Sequence, residues 1–311
     1  MYSTGLRLFR LTRGWFAVSR RERLRRPDWL KVSLKTSQNF HEVNSLVSNH
    51  SLHTVCQEAR CPNIYECWNQ KTATFMILGD VCTRHCGFCS VRKGKPDPPD
   101  PDEPANTARA AEKMGLDYAV ITSVDRDDLP DEGAGHFART IDAIRSRLPD
   151  CKIEVLIPDF NGNQELLGIV LDARPEVLGH NVETVEALYR RVRPVASYSQ
   201  SLAVLETSSR YRNEHAPELR TKTGIMVGLG ETTDQLVATI KDIAATGCDI
   251  LTIGQYLSPK RNALPVEKFY TPEEFDYLRD QALDNGIKHA ESGPLVRSSY
   301  HAHNQFENSG S

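Results

Sequence analysis

Three cysteines, Cys82, Cys86 and Cys89, stand in the run Cys82-Thr83-Arg84-His85-Cys86-Gly87-Phe88-Cys89. This CxxxCxxC spacing sets three soft thiolates on one short loop. A four-iron, four-sulfide cluster offers one coordination site per iron and takes thiolate as its usual protein ligand, so three cysteines leave one iron open. A second triplet, Cys56, Cys61 and Cys67, lies just upstream with CxxxxCxxxxxC spacing. Two triplets so different in spacing imply two metal centres with two tasks.

Two plainer readings compete with this one. Structural zinc wants four closed tetrahedral ligands, usually paired CxxC or Cys/His groups, and neither triplet has that form, although His53 and His85 stand close enough to complete a zinc site. Disulfides are the other alternative. Eight cysteines in 311 residues do not make a disulfide-dense scaffold, and no secretory signal is evident, which favours a reducing compartment. Cys151 and Cys248 are isolated beside apolar runs and read as core residues, since a free cysteine behaves as a small hydrophobe.

The formal net charge of −3 gives no global basic field to recruit nucleic acid. No apolar stretch approaches the ~18 residues of a membrane helix, so a soluble protein is expected. Charge is uneven, however. Residues 1–26 carry eight arginines (Arg7, Arg10, Arg13, Arg20, Arg21, Arg23, Arg25, Arg26) against one acid, Glu22. Such a segment resembles an organellar transit peptide, but a disordered basic arm is the favoured reading. The expected compartment is the cytoplasm, with the mitochondrion as the alternative if the arm is a transit peptide.

From about residue 74 the chain alternates apolar runs with helical periodicity. Strands are expected at Thr74–Leu78, Tyr118–Ser123, Ile153–Pro158, Val177–Asn181, Lys222–Val227 and Ile250–Ile253. Helices are expected near 104–115, 133–148, 163–172, 184–191, 199–212, 232–246 and 272–285. Strands rich in Val, Ile and Leu that alternate with helices indicate an α/β fold with a parallel sheet buried on both faces. Six units are too few for an eight-fold barrel, so a partial (β/α)6 barrel is expected, with a doubly wound sheet as the alternative. Active sites of such barrels gather at the C-terminal ends of the strands, where the CxxxCxxC loop falls directly after the first one.

The CxxxCx(aromatic)C pattern, with Phe88 as the aromatic, resembles the radical S-adenosylmethionine superfamily. In that superfamily the open iron binds the methionine moiety of the cofactor, which is cleaved by one electron to methionine and a 5′-deoxyadenosyl radical. The run Gly224-Ile225-Met226-Val227-Gly228-Leu229-Gly230-Glu231 is similar to its GxIxGxxE element, with Met226 for the usual Ile. The resemblance implies cofactor contacts at Thr122, Ser123, Gly228 and Glu231, with Asp125 and Arg126 as further polar candidates. Glu132 stands where relatives carry the first glycine of a double-glycine turn.

A narrower resemblance, from about Arg26 to Ala302, is to the lipoyl synthase family. It rests on the upstream triplet, Ile121-Thr122-Ser123-Val124-Asp125-Arg126-Asp127-Asp128-Leu129, His180-Asn181-Val182-Glu183-Thr184-Val185 and Arg297-Ser298-Ser299-Tyr300. The resemblance implies two 4Fe-4S clusters. One binds S-adenosyl-L-methionine on Cys82, Cys86 and Cys89; the other is auxiliary, on Cys56, Cys61, Cys67 and Ser299, with Ser298 as the fallback. It implies insertion of two sulfur atoms, drawn from the auxiliary cluster, at C6 and C8 of a protein-bound octanoyl-lysine. His180, Asn181 and Arg297 are the expected substrate contacts. Implied partners are octanoylated lipoyl carrier domains (2-oxoacid dehydrogenase E2 subunits and the glycine-cleavage carrier protein), a ferredoxin or flavodoxin reductant, and an iron–sulfur carrier for cluster repair. The expected organisation is a basic arm over 1–26, an extension with the auxiliary cysteines over 27–73, the partial barrel over 74–290 and a tail over 291–311. The alternatives are another radical S-adenosylmethionine enzyme, which leaves the upstream triplet without a role, and a two-cluster electron carrier, which needs no open iron.

Overall fold

The computed structural model describes residues 24–310 apart from 33–35, 50–52, 59–60, 70–73 and 261. Most of the arginine-rich arm, through Arg23, lies outside the described residues.

The strands in chain order are β1 (His53–Thr54), β2 (Thr74–Ile77), β3 (Val81–Cys82), β4 (Arg92–Lys93), β5 (Tyr118–Ser123), β6 (Lys152–Leu156), β7 (Val177–Gly179), β8 (Arg220–Val227), β9 (Ile250–Gln255) and β10 (His289–Gly293). Eight of them form one sheet in the order β1-β2-β5-β6-β7-β8-β9-β10, while β3 and β4 make a separate small pair. Only the β1–β2 pairing in that sheet is antiparallel; β2 through β10 run parallel, with Thr74 opposite Val120 and Lys222 opposite Ile250. Parallel strands need crossovers, and helices supply them. These are α4 (Glu103–Met114), α5 (Ala134–Arg147), α6 (Gln164–Asp172), α7 (Tyr189–Val192), α8 (Tyr198–His215), α9 (Thr233–Ala245) and α10 (Pro272–Asp284). The remaining helices flank this body: α1 (Gln38–Asn49), α2 (Val55–Glu58) and α3 (Ile64–Asn69) before it, α11 (Ala302–Asn308) after it.

The six expected strands are present, and a seventh parallel strand, β10, follows them. Its sequence, His289-Ala290-Glu291-Ser292-Gly293, has no apolar run, and only Ala290 is buried. Position on the flank of the sheet, rather than hydrophobicity, makes it a strand. The helix expected near 184–191 is a 3-10 turn, Glu186–Leu188, running into the short α7. Pro194 ends it, because the residue before a proline is pushed out of helical geometry; Arg193 sits at φ −130°, ψ 71°.

Local signals fix the helix starts. Thr232 with Gln235 and Thr271 with Glu274 each form a reciprocal capping box, and Pro272 occupies the first turn of α10, where its missing N–H is harmless. The outer sheet faces are dry. Phe75, Ile121, Phe137, Ile141 and Val155 belong to one buried cluster; Val227, Leu236, Ile240, Leu251 and Phe275 belong to another. Each such side chain contributes roughly 1.5–3 kcal/mol on burial. Cys151 and Cys248 are 4% and 3% exposed, as core residues should be.

Candidate active site

The CxxxCxxC loop leaves the C-terminal end of β2. The Thr83 N–H donates to the Asp125 carbonyl (3.1 Å), and the Gly94 N–H donates to the Cys82 carbonyl (3.0 Å). On the far side the Gly87 N–H donates to Val192 O at 2.8 Å, and the Leu264 N–H donates to Gly87 O at 3.2 Å. The loop is thereby tied to the ends of β5, α7 and the segment after β9. Cys82 donates its thiol proton to Asp125 Oδ2 at 3.5 Å.

The upstream triplet sits at the opposite end of β2. Cys56 lies in α2 and Cys67 in α3, joined by a turn in which the Cys61 N–H donates to Cys56 O at 3.0 Å. The C-terminal segment closes over this turn. Asn63 Nδ2 donates to the Leu295 carbonyl at 2.7 Å, and the Tyr300 hydroxyl donates to Glu66 at 3.1 Å. The Thr74 hydroxyl, at the first residue of β2, donates to Ser299 Oγ at 2.9 Å. Thr74 also offers its backbone to the Cys56 sulfur, which brings Ser299 to the upstream cysteines. Ser298 turns the other way and exchanges hydrogen bonds with the Asn181 side chain at 2.8 and 3.1 Å. The tail crosses β9 so closely that a Cβ on Gly254 would stand 2.2 Å from the Val296 carbonyl oxygen.

A cavity of about 510 Å³ reaches from the upstream triplet to Cys89 of the downstream one, within the usual range for a small-molecule site. Cys56, Cys61, Cys67 and Ser299 line it, as do Cys89, Asn181, Glu183 and Arg297. Burial pushes the thiols up, Cys56 and Cys86 to about 11, Cys67 and Cys82 to about 12. Cys61 and Cys89 are raised for the same reason. Such thiols keep their protons until a metal displaces them. Among the described residues, the one His/Cys/Asp/Glu group whose ligand atoms all fall within 4.8 Å of one another is His53, Glu58 and Asp80. Its Asp80 is already paired with Arg92. Neither cysteine triplet is drawn as tightly as one tetrahedral ion would draw it. Two triplets of buried or half-buried thiols, four of them on one cavity and one triplet with a hydroxyl beside it, fit polynuclear iron–sulfur groups better than zinc.

The other expected site residues divide. Asn181 and Arg297 line the cavity; His180 does not. In extended chain successive side chains point to opposite faces, so His180 and Asn181 cannot share one. His180 is 1% exposed, its Nδ1 3.0 Å from Ile157 O and its Nε2 3.1 Å from Ser201 Oγ. Burial lowers its pKa to about 4, so the ring is neutral, donating to the carbonyl and accepting from the hydroxyl. Burial also lowers the Arg297 pKa, with Cys61 pulling the other way. Thr122 donates to Leu156 O at 2.9 Å, whereas the buried Ser123 hydroxyl has no partner. Gly228, at φ +98°, makes room for the Gln255 side chain and the Lys268 carbonyl. The Glu231 carboxylate accepts the Gly228 and Leu229 N–H groups at 2.6 and 2.9 Å, folding the GxIxGxxE turn onto itself. Asp125 borders Cys82, while Arg126 is paired with Asp128 at 2.8 Å.

Sequence reasoning passed over Glu183. It holds a left-handed backbone at φ +70°, uncommon for a residue with a side chain. Burial raises its pKa against the pull of Arg193, and Asn181 Nδ2 donates to its carboxylate at 3.2 Å. Its presence in the His180–Val185 stretch was the only available signal. Asn63, Thr74 and Gly254 were given no role of their own, since each acts across the chain.

Comparisons with known proteins agree with this geometry. The model of the Radical SAM superfamily matches residues 76–243, and that of the N-terminal domain of lipoyl synthase of the radical SAM family matches residues 12–61. Lipoyl synthase of Symbiobacterium thermophilum is 55% identical over 281 residues, 90% of this chain and 87% of that protein. The lipoyl synthase of Rubrobacter xylanophilus is 54% identical over 282 residues, 91% and 87% of the two chains. Among solved structures, SuiB of Streptococcus suis bound to S-adenosylmethionine aligns with a TM-score of 0.54 at 10% identity, over 75% of this chain and 54% of that one. Methylornithine synthase aligns with a TM-score of 0.51 at 15% identity, over 83% and 84%. At such identities these two speak for the fold alone. Relatives more than half identical over nine-tenths of the chain speak for more: this chain belongs to the lipoyl synthase family of the radical S-adenosylmethionine superfamily.

Proposed function

We propose that the chain inserts two sulfur atoms, at C6 and C8, into an octanoyl group carried on a lysine of a lipoyl carrier domain, forming lipoyl-lysine. The observation that carries this reading is a cavity that Cys89 of the downstream triplet shares with Cys56, Cys61, Cys67 and Ser299. Cys82, Cys86 and Cys89 would hold the cluster that binds S-adenosyl-L-methionine; Cys56, Cys61, Cys67 and Ser299 would hold the auxiliary one. When bound, these groups supply a 5′-deoxyadenosyl radical to abstract hydrogen and sulfide to replace it.

The chain's own residues do the rest. Apolar walls from Val120, Leu156, Met226, Tyr256 and Leu257 suit an eight-carbon chain and keep water from a reactive carbon. Asn181, Glu183 and Arg297 supply the polar contacts that orient what enters. Thr122, Ser123, Gly228 and Glu231 remain proposed for the cofactor, with Ser123 supported by its unpartnered buried hydroxyl. Ser299 is favoured over Ser298 because Thr74 holds it beside Cys56, whereas Ser298 is engaged by Asn181. An alkoxide is a hard ligand on an iron that prefers thiolate, so this corner is the natural place to open. E2 subunits of 2-oxoacid dehydrogenases and the glycine-cleavage carrier are the proposed substrates, in the cytoplasm. A ferredoxin or flavodoxin is the proposed reductant, and an iron–sulfur carrier rebuilds the auxiliary cluster. No helix among the described residues is long and apolar enough to cross a membrane.

The test is anaerobic reconstitution followed by dithionite, S-adenosylmethionine and a peptide bearing octanoyl-lysine. Mass spectrometry should find two sulfurs gained, with the hydrogen count unchanged in the dithiol formed under dithionite and two fewer hydrogens once it is oxidised to the cyclic disulfide, in step with 5′-deoxyadenosine. Deoxyadenosine beside an unchanged peptide would reject this substrate.

A further inference from the structure

The loop between Cys82 and Cys86 is held by a charge network that the cysteine spacing does not require. Arg84 lies at its centre, its side chain 3% exposed. Its Nε donates to both Asp127 carboxylate oxygens at 3.0 Å, and its Nη2 donates to Asp127 Oδ1 at 2.7 Å and Asn161 Oδ1 at 3.1 Å. Nη1 meets Asp159 Oδ1 at 2.7 Å. Asp125 Oδ1 stands 3.5 Å from Nε, while its other oxygen faces Cys82 Sγ. One buried guanidinium therefore gathers three carboxylates from the loops after β5 and β6, and the group as a whole is anionic.

This arrangement holds a strained backbone in place. Phe160 and Asn161 are consecutive left-handed residues, at φ +45° and +46°. Each costs on the order of 1–3 kcal/mol and persists only where its surroundings demand it. So placed, the Asn161 side chain reaches Arg84, Asp127 and Glu132 together. Across the loop the charge is reversed. Arg193, 8% exposed, donates to Asn181 O, the Tyr189 hydroxyl and Ser201 Oγ at 2.8, 3.2 and 3.1 Å, all uncharged acceptors. The cysteine loop thus meets a carboxylate cluster at Cys82, where Asp125 is half-buried and Asp127 exposed, and the buried Arg193 guanidinium near Cys86.

The potential of an iron–sulfur cluster responds to the net charge and hydrogen bonds around it. We propose that Arg84 is a positioning residue that fixes the CxxxCxxC loop, and that the balance of Asp125, Asp127 and Asp159 against it sets the reduction potential of the cluster the loop carries. This rests on the assignment of a cluster to Cys82, Cys86 and Cys89. Nearby negative charge opposes an added electron, so the two sides of the balance should move the potential in opposite directions.

The experiment is an EPR-monitored potentiometric titration of the reconstituted holoprotein, following the signal that changes on addition of S-adenosylmethionine. At a fixed poise, Arg84→Gln should lower the reduced-to-oxidised ratio at least threefold, and Asp159→Asn should raise it at least threefold; tenfold would be 59 mV for one electron. Arg84→Lys keeps the charge without the three-way fork and should stay within twofold of wild type while binding S-adenosylmethionine more weakly. Should Arg84→Gln fail to take up iron, the other two variants decide. Shifts of the same sign, or none beyond twofold with wild-type iron and sulfide content, would overturn the proposal. Iron unaffected by loss of Cys82, Cys86 and Cys89 would instead reject the cluster assignment beneath it.

Discussion

The two cysteine triplets are built on opposite plans. The downstream one is local: eight residues on one loop, pinned by Arg84 and by backbone bonds to neighbouring strand ends. The upstream one is distributed, because its fourth candidate ligand comes from the far end of the sheet. Thr74 and Ser299 are separated by 225 positions, and Asn63 and Leu295 by 232. A local site survives small rearrangements of the fold around it. A distributed one depends on every element between its parts. That contrast suits the proposed pairing of a cluster that works repeatedly with one that is consumed and rebuilt.

The sharpest way to break the comparison is to remove cysteines from each triplet separately. Cys82→Ala, Cys86→Ala or Cys89→Ala should reduce S-adenosylmethionine cleavage at least a hundredfold. Cys56→Ala, Cys61→Ala or Cys67→Ala should leave cleavage running while no sulfurated peptide forms. Loss of cleavage in both sets, measured as 5′-deoxyadenosine, would erase the division of labour. Next in size is the pair of serines. Ser299→Ala should cut sulfurated product at least tenfold and speed iron loss from the auxiliary cluster; Ser298→Ala should cost threefold or less. Equal effects in a product assay would mean that Thr74 does not select between them.

The tail itself can be moved. Gly254→Ala places a Cβ 2.2 Å from the Val296 carbonyl oxygen, an overpacking that costs roughly 1–3 kcal/mol. Product should fall several-fold with cleavage retained, and a lower melting temperature would register the displacement. The smallest effect concerns His180. Its folded pKa lies near 4, below the unfolded value near 6.5, so the unfolded chain binds the extra proton between them. Stability from this group is complete above about pH 6.5 and is lost as the pH falls toward 4. His180→Asn should flatten that part of the denaturation profile, while sulfur insertion changes little because the ring faces away from the cavity.

How far the site could be read in the sequence follows from the same contrast. The CxxxCxxC loop was legible because its ligands are neighbours and its strand is a plain apolar run. The upstream triplet suggested a second centre by its spacing, but nothing physical in Ser299 sets it apart from other serines; only the family resemblance singled it out. Strands β2 and β5–β9 were legible from Val, Ile and Leu content, whereas β10 was not, since Ala290 is its one buried residue. His180 and Asn181 were both expected at the substrate because they end the fourth strand, and the pleat parts them. Glu183 escaped notice because a positive φ on glutamate leaves no trace in residue type.

The crossing of the tail over β9 bears on how the protein matures. The contact of Ser299 with Thr74 joins the β2 flank of the sheet to a tail that passes over Gly254 at the other flank, so it depends on the whole sheet between them. The complete ligand set is therefore a product of tertiary assembly. On the proposed assignment, a protein that delivers iron and sulfide there would meet a folded molecule, and a folding defect between the two ends would surface as a failure to be supplied.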